Sequence, residues 1–164
     1  MIEVVGNLWD SEADVRVITT NGSVKKNGEA VMGRGCALEA KQRWPALAAT
    51  LGTYITRFGN RVTYFQDYNL FTFPVKHEWM QKADIDLIKL SAEQLSLHAL
   101  HSWEVILMPR PGCGNGGLQW CSCPEGWVGL PHEDLCKGVK HLIAPILDDR
   151  FHVITFAGKA GVAS

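Results

Sequence analysis

Two glycine-rich segments carry the chemistry most open to reading in this chain. Met108-Pro-Arg-Pro-Gly-Cys-Gly-Asn-Gly-Gly-Leu-Gln-Trp120 sets Gly112, Gly114, Gly116 and Gly117 directly after an apolar run. Glycine loses more freedom on folding than any other residue, so this density makes sense where the backbone turns sharply or lets a ligand approach. Successive amides in such a turn form a concave surface for anion oxygens. Met32-Gly-Arg-Gly-Cys-Ala-Leu38 places Gly33 and Gly35 before a helical pattern, and a helix N-terminus favours negative charge. Two phosphate-type cradles imply a diphosphate ligand. A third cluster, Cys121, Cys123, His132 and Cys136, supplies four ligands of the types zinc takes. Its spacing is irregular, a reduced and partly buried loop is the favoured reading, and no metal is assigned.

The elements that must position these loops follow from the apolar pattern. Short β-rich runs recur at Ile2–Val5, Val15–Thr20, Arg61–Phe65, Asn69–Phe73, Val105–Met108 and Phe151–Phe156. Helical patterns lie between them, the first over Cys36–Arg43 and broken near Pro45. The clearest runs from about Asp84 to His101, with Asp84 as its cap and Ile85, Ile88, Leu95 and Leu97 or Ala99 as its apolar face. A third spans about Gly138–Leu147, its length limited by Pro145. Strands alternating with helices predict an α/β domain with helices over both faces of a mixed sheet. In such sheets ligands sit beyond the carboxyl ends of the strands, and both glycine loops follow strands. Residues 121–137 break the rhythm and read as a Cys-rich insertion into a single domain, 1–164.

Composition excludes several classes. Sixteen Lys and Arg against seventeen Asp and Glu leave a net charge of −1, so indiscriminate salt-driven binding to nucleic acid is not expected. No apolar run approaches the roughly 18 residues of a membrane helix, and no membrane partner is predicted. Ile2-Glu-Val-Val5 at the start is not a signal segment. Five cysteines are an odd count, which favours reduced thiols and a cytoplasmic setting.

Taken together, Gly6-Asn-Leu-Trp9, Val17-Ile-Thr-Thr-Asn21, Met32–Leu38, Phe73-Pro-Val-Lys-His-Glu-Trp79 and Pro109–Trp120 resemble a macrodomain. The branch they are most similar to holds terminal ADP-ribose protein glycohydrolase and the DarG antitoxins. The resemblance runs in order over nearly the whole chain, apart from the insertion and the tail after Phe156. It implies a three-layer α/β/α fold around a mixed, mostly parallel six-stranded sheet.

The resemblance also implies site roles. Asn7 stands where the family usually carries an aspartate that accepts from the adenine amino group. Its carbonyl oxygen can accept that bond but brings no charge. Leu8 follows at the same strand end. Asn21 would meet a ribose hydroxyl, and Gly33, Gly35 and Cys36 would form the first ligand loop, lengthened here by a segment containing Lys25, Lys26 and Asn27. Gly112, Cys113, Gly114, Asn115, Gly116, Gly117 and Leu118 would form the second, on the diphosphate. Cys113 reads as packing rather than as a nucleophile. Phe156 is a candidate for stacking on adenine, with core packing as the alternative.

Lys76 stands in the place of the catalytic lysine of DarG-like enzymes, whose motif is Phe-Pro-Thr-Lys-x-x-Trp. A lysine amine attacks an anomeric carbon only when neutral, and Lys82, Arg110 and His77 are candidate neighbours to favour that form. The protein glycohydrolase also uses an aspartate in the second loop. The corresponding position here is Gly116, as in DarG-like sequences, which moves the reading toward them. The expected function is lysine-dependent removal of ADP-ribose, with Lys76 and Asn21 catalytic, nucleic acid the first substrate and protein the second. The alternatives are a non-catalytic ADP-ribose reader and an ADP-ribose 1″-phosphate phosphatase. A monomer without metal or redox cofactor is expected.

Overall fold

A computed structural model of the protein describes residues 1–121, 123 and 136–155. Five strands run parallel: β1 (Ile2–Val5), β2 (Val15–Asn21), β4 (Leu70–Lys76), β5 (Ile106–Pro109) and β6 (Phe151–Thr155). The short β3 (Thr63–Phe65) is antiparallel to β4 at one edge, and the sheet order is β1-β6-β5-β2-β4-β3. This is the predicted mixed, mostly parallel six-stranded sheet.

Alternation along the strands divides the core. Val15, Val17, Phe71, Phe73, Val75, Ile106, Met108, Phe151 and Val153 face one apolar cluster, and Ile18, Leu70, Leu107 and Ile154 face the other. Strands buried on both faces read as near-continuous apolar runs, as β4 and β5 do. Helices α3 (Ile85–His98) and α4 (Val139–Ile143) cover the first face, while α1 (Gly35–Arg43) and α2 (Leu47–Phe58) cover the second. The result is the expected α/β/α sandwich.

Several sequence expectations need correction. Helix α2 has no counterpart among them: its buried Leu47, Ala48, Leu51 and Gly52 include two small residues, which give only a weak apolar periodicity. Helix α1 stops at Arg43 as expected, because Trp44 precedes Pro45 and adopts non-helical φ/ψ of −129° and 86°. Asp84 does cap α3, accepting from the amides of Asp86 and Leu87. That helix buries Leu87, Ile88, Ser91, Ala92 and Leu95, however, while Ile85 and Leu97 are exposed. Helix α4 ends at Ile143, two residues before Pro145.

Among the described residues no cysteine forms a disulfide, and no helix is long and apolar enough to cross a membrane.

Candidate functional site

Parallel pairing aims five strand ends at the same edge of the sheet, and each predicted ligand segment leaves one of those ends. Gly6 follows β1, Gly22 follows β2, His77 follows β4 and Arg110 follows β5. Asn21 and Lys76, the last residues of adjacent strands, are register partners, and the register shifts between Thr20 and Asn21 to pair them. The crevice therefore sits where α/β sheets hold their ligands.

The second glycine loop is fixed from within and below. Cys113 N–H donates to the Arg110 carbonyl at 3.3 Å, Gly117 N–H to Gly114 at 3.1 Å and Leu118 N–H to Gly112 at 2.9 Å. The Ala83 amide donates to the Gly116 carbonyl at 3.0 Å. These bonds leave the amides of Gly114, Asn115 and Gly116 without an acceptor among the described residues. Glycine is required at two points. Gly112 has φ +73° and lies against Ile88 and Ala83, and a Cβ on Gly116 would stand 2.4 Å from the Gly112 carbonyl oxygen and 2.8 Å from Ala83. A side chain at 116 therefore requires the loop backbone to move.

The first loop ends where α1 begins. Arg34 at its N-cap makes no side-chain capping bond, so the opening amides of α1 retain capacity for an anion. Gly35, at φ +56°, lies beside the second loop: a Cβ there would be 3.2 Å from Asn115 Nδ2. Residues 22–31 form a small hairpin, with a bridge between Val24 and Ala30, that docks on α2 through the Ala30 N–H to Ala48 carbonyl bond. Lys25, at the exposed tip, lies 3.9 Å from Glu29, and Lys26 is exposed.

Lys76 reaches the second glycine loop. Its Nζ donates to the Asn115 carbonyl at 3.0 Å and lies 3.5 Å from the Trp79 carbonyl. Two of its three candidate neighbours engage other groups: His77 pairs with Asp84 at 2.8 Å, and the Arg110 guanidinium bonds Thr155 at 2.6 Å and Glu3 at 3.4 Å. The His77 contact, followed by the Leu87 amide bond, holds the Asp84 carboxyl below its usual range.

The remaining predicted residues vary in how they face the crevice. Asn21 closes the neck of the hairpin, donating to the Val31 carbonyl and accepting from Ser23 N–H, both at 2.9 Å. Asn7 is exposed, and its Oδ1 accepts from the Trp9 amide at 2.8 Å. Leu8 is a core residue, 2% exposed. Gly33 has open space around it, with no atom within 4 Å of where a Cβ would stand. Cys36 packs its sulfur on Thr19, and burial pushes its thiol up. Burial also pushes the Cys113 thiol up to about 11, with Arg110 opposing, and its sulfur meets the Pro111 carbonyl. Phe156 lies outside the described residues.

Two further residues brace the segment around Lys76, of which Asn60 carries no motif signal. Asn60 donates to the Lys76 carbonyl at 2.9 Å, fixing the strand end. Trp79, 52% exposed, is tied through its amide to Ser23. Trp79 closes the lysine motif, and the folded loop adds that its side chain stays exposed.

Behind the second loop, Glu3 gathers Trp120 Nε1 at 2.7 Å, the Lys140 ammonium and Arg110. Burial raises its pKa, but the Lys140 and Trp120 hydrogen bonds and the two cations outweigh that, leaving it below the ordinary glutamate value.

No family model matches the sequence, and no curated protein is significantly similar to it. Solved structures are similar over almost the full chain. The macrodomain of Thermus aquaticus DarG superposes with a TM-score of 0.65 at 22% identity, covering 95% of this chain and 97% of that one. The macrodomain of Mycobacterium tuberculosis DarG gives 0.61 at 21% identity, with 94% and 95% covered. Thermosipho africanus DarTG in complex with ADP-ribose gives 0.70 at 17% identity; 98% of this chain matches 42% of that one. The fold is that of a macrodomain. Its structural neighbours include the DarG macrodomains.

Proposed function

We propose that the protein binds ADP-ribose in the crevice between its two glycine loops and hydrolyses ADP-ribosyl linkages with Lys76 as nucleophile. The observation that carries this reading is the 3.0 Å contact between Lys76 Nζ and the Asn115 carbonyl, because it joins the motif lysine of the crevice to the loop that would grip the diphosphate. Supporting it are the acceptor-less amides of that loop, the adjacent uncapped start of α1, and the similarity to a DarTG structure that contains ADP-ribose.

In this mechanism the loops hold the diphosphate and thereby fix the distal ribose against the amine, a positioning effect that can supply much of a rate enhancement. The neutral amine attacks C1″. The C1″–X bond breaks with its electron pair on the departing group X, which takes up a proton. Water then displaces the amine from C1″, freeing ADP-ribose and restoring lysine. Asn21 shapes the first loop from its neck, and Asn7 and Leu8 border the adenine end. Nucleic acid is the preferred carrier, since the exposed Trp79 ring offers a stacking surface for a neighbouring base; protein is second.

The test incubates wild type and Lys76→Ala with ADP-ribosylated single-stranded DNA and, in parallel, ADP-ribosylated protein. Free ADP-ribose should appear with wild type, while the variant still binds ADP-ribose and releases none. Binding without release by wild type makes the protein a reader. Phosphate liberated from ADP-ribose 1″-phosphate, with modified DNA intact, makes it a phosphatase.

A further inference from the structure

The cysteine-rich insertion follows the second glycine loop after Trp120 and returns before α4, and its described ends converge. Cys121, Cys123, Cys136 and His141 each turn one ligand atom inward, and these four atoms lie within 4.8 Å of one another. Cys121 Sγ is 3.4 Å and Cys123 Sγ 3.6 Å from His141 Nε2, and Cys136 Sγ is 3.8 Å from Cys121 Sγ. Ligands held about 2.0–2.3 Å from a tetrahedral zinc stand roughly 3.5–3.8 Å apart. These three spacings lie close to that figure, and no pair of the four atoms is more than 4.8 Å apart. We propose that Cys121, Cys123, Cys136 and His141 bind one zinc ion as a tetrahedral, four-ligand structural site.

The ligand set favours zinc over harder divalent cations, which prefer oxygen. With four protein ligands no position remains open for water or substrate, so the ion would be structural and its role independent of the Lys76 chemistry. What it would hold together is evident from the surroundings. Helix α4 is five residues long, too short to be stable by itself. Gly138 lies against the Trp120 carbonyl, where a Cβ would approach to 2.4 Å, and Val139 and Lys140 donate to the Gln119 and Trp120 carbonyls. A cation bound by residues 121, 123, 136 and 141 would clamp both ends of the insertion onto α4 directly behind the second glycine loop. The sequence alone offers His132 as the fourth ligand, which lies outside the described residues. Folding brings His141 into that place from α4.

The test uses the full chain purified without chelator after expression in zinc-supplemented medium. Elemental analysis should give about one zinc per chain, and exchange with cobalt(II) should produce the intense visible bands of a tetrahedral thiolate site. His141→Ala and Cys136→Ser should lose most of the bound zinc, whereas His132→Ala should keep it. Chelation should lower the melting temperature of wild type and leave that of His141→Ala unmoved. Wild-type protein without zinc and without the cobalt bands, or His141→Ala with a full complement of zinc, would overturn the proposal. Should Cys136→Ser fail to fold, the cobalt spectrum of wild type still decides.

Discussion

The second glycine loop separates two effects that are usually entangled, its own stability and its grip on a ligand. At Gly116 a methyl group would sit 2.4 Å from the Gly112 carbonyl oxygen, well inside ordinary contact, and 2.8 Å from Ala83. The obstacle is backbone, so the loop must move, disturbing the Ala83 N–H to Gly116 bond of 3.0 Å. Overpacking of this kind costs about 1–3 kcal/mol, and loss of the bond adds about 1 kcal/mol. For Gly116→Ala we expect destabilisation of about 2–4 kcal/mol, or a fall in melting temperature of roughly 5–15 °C for a domain of this size. Displaced amides would also forfeit one charge-assisted bond to phosphate, worth about 1.5–3 kcal/mol, weakening ADP-ribose roughly 10- to 100-fold. Gly114→Ala is the contrast. No atom lies within 4 Å of its methyl position, so stability should change by no more than about 0.5 kcal/mol, while a methyl next to the amides offered to the diphosphate should still reduce affinity. Differential scanning fluorimetry and calorimetric titration with ADP-ribose measure both quantities. Wild-type stability and affinity in Gly116→Ala would refute the steric reasoning; undiminished affinity in Gly114→Ala would remove the ligand from this loop.

Three further outcomes are expected. Because the fold holds the Glu3 carboxyl below its ordinary 4.5, its ionised form stabilises the fold above that pH, and the contribution disappears as pH falls through the lowered folded value. Glu3→Gln should therefore melt lower than wild type at neutral pH, the gap narrowing in acid; a constant gap contradicts the linkage. Asn60→Ala removes the bond to the Lys76 carbonyl and should cost about 1 kcal/mol, lowering the rate of ADP-ribose release more than ADP-ribose affinity; an unchanged rate would leave Asn60 without a positioning role. Cys113→Ala should release ADP-ribose at the wild-type rate, since that thiol is pushed up to about 11; abolished release would make the sulfur part of the chemistry.

Much of this architecture is legible in the sequence because parallel strands buried on both faces announce themselves as apolar runs. Residues 70–76 and 106–109 do so, and Asp84 marks the start of α3 through its capping chemistry. Helix α2 is not legible: it buries Ala48 and Gly52 against the first-loop hairpin, and small residues carry little hydrophobic contrast. Ile85 and Leu97 fit the apolar spacing of α3 yet point outward, since a spacing argument knows nothing of where the sheet ends. Around the candidate site, the glycines and Lys76 are visible as motifs. The structure brings Lys76, Asn115 and Gly35 together, but the engagement of Asn21 with Val31 and Ser23, and of Arg110 with Glu3 and Thr155, depends on contacts that no local pattern encodes. His141 is the same case: five residues from Cys136, it joins the thiols only when α4 packs behind Trp120.

A crystal structure of the protein soaked with ADP-ribose is the most direct examination of the central claim. The account predicts the diphosphate against the amides of Gly114, Asn115 and Gly116 and the start of α1, with C1″ about 3–3.5 Å from Lys76 Nζ, as a near-attack geometry requires. A nucleotide bound with its distal ribose turned away from Lys76, or held outside the crevice between the loops, would contradict it.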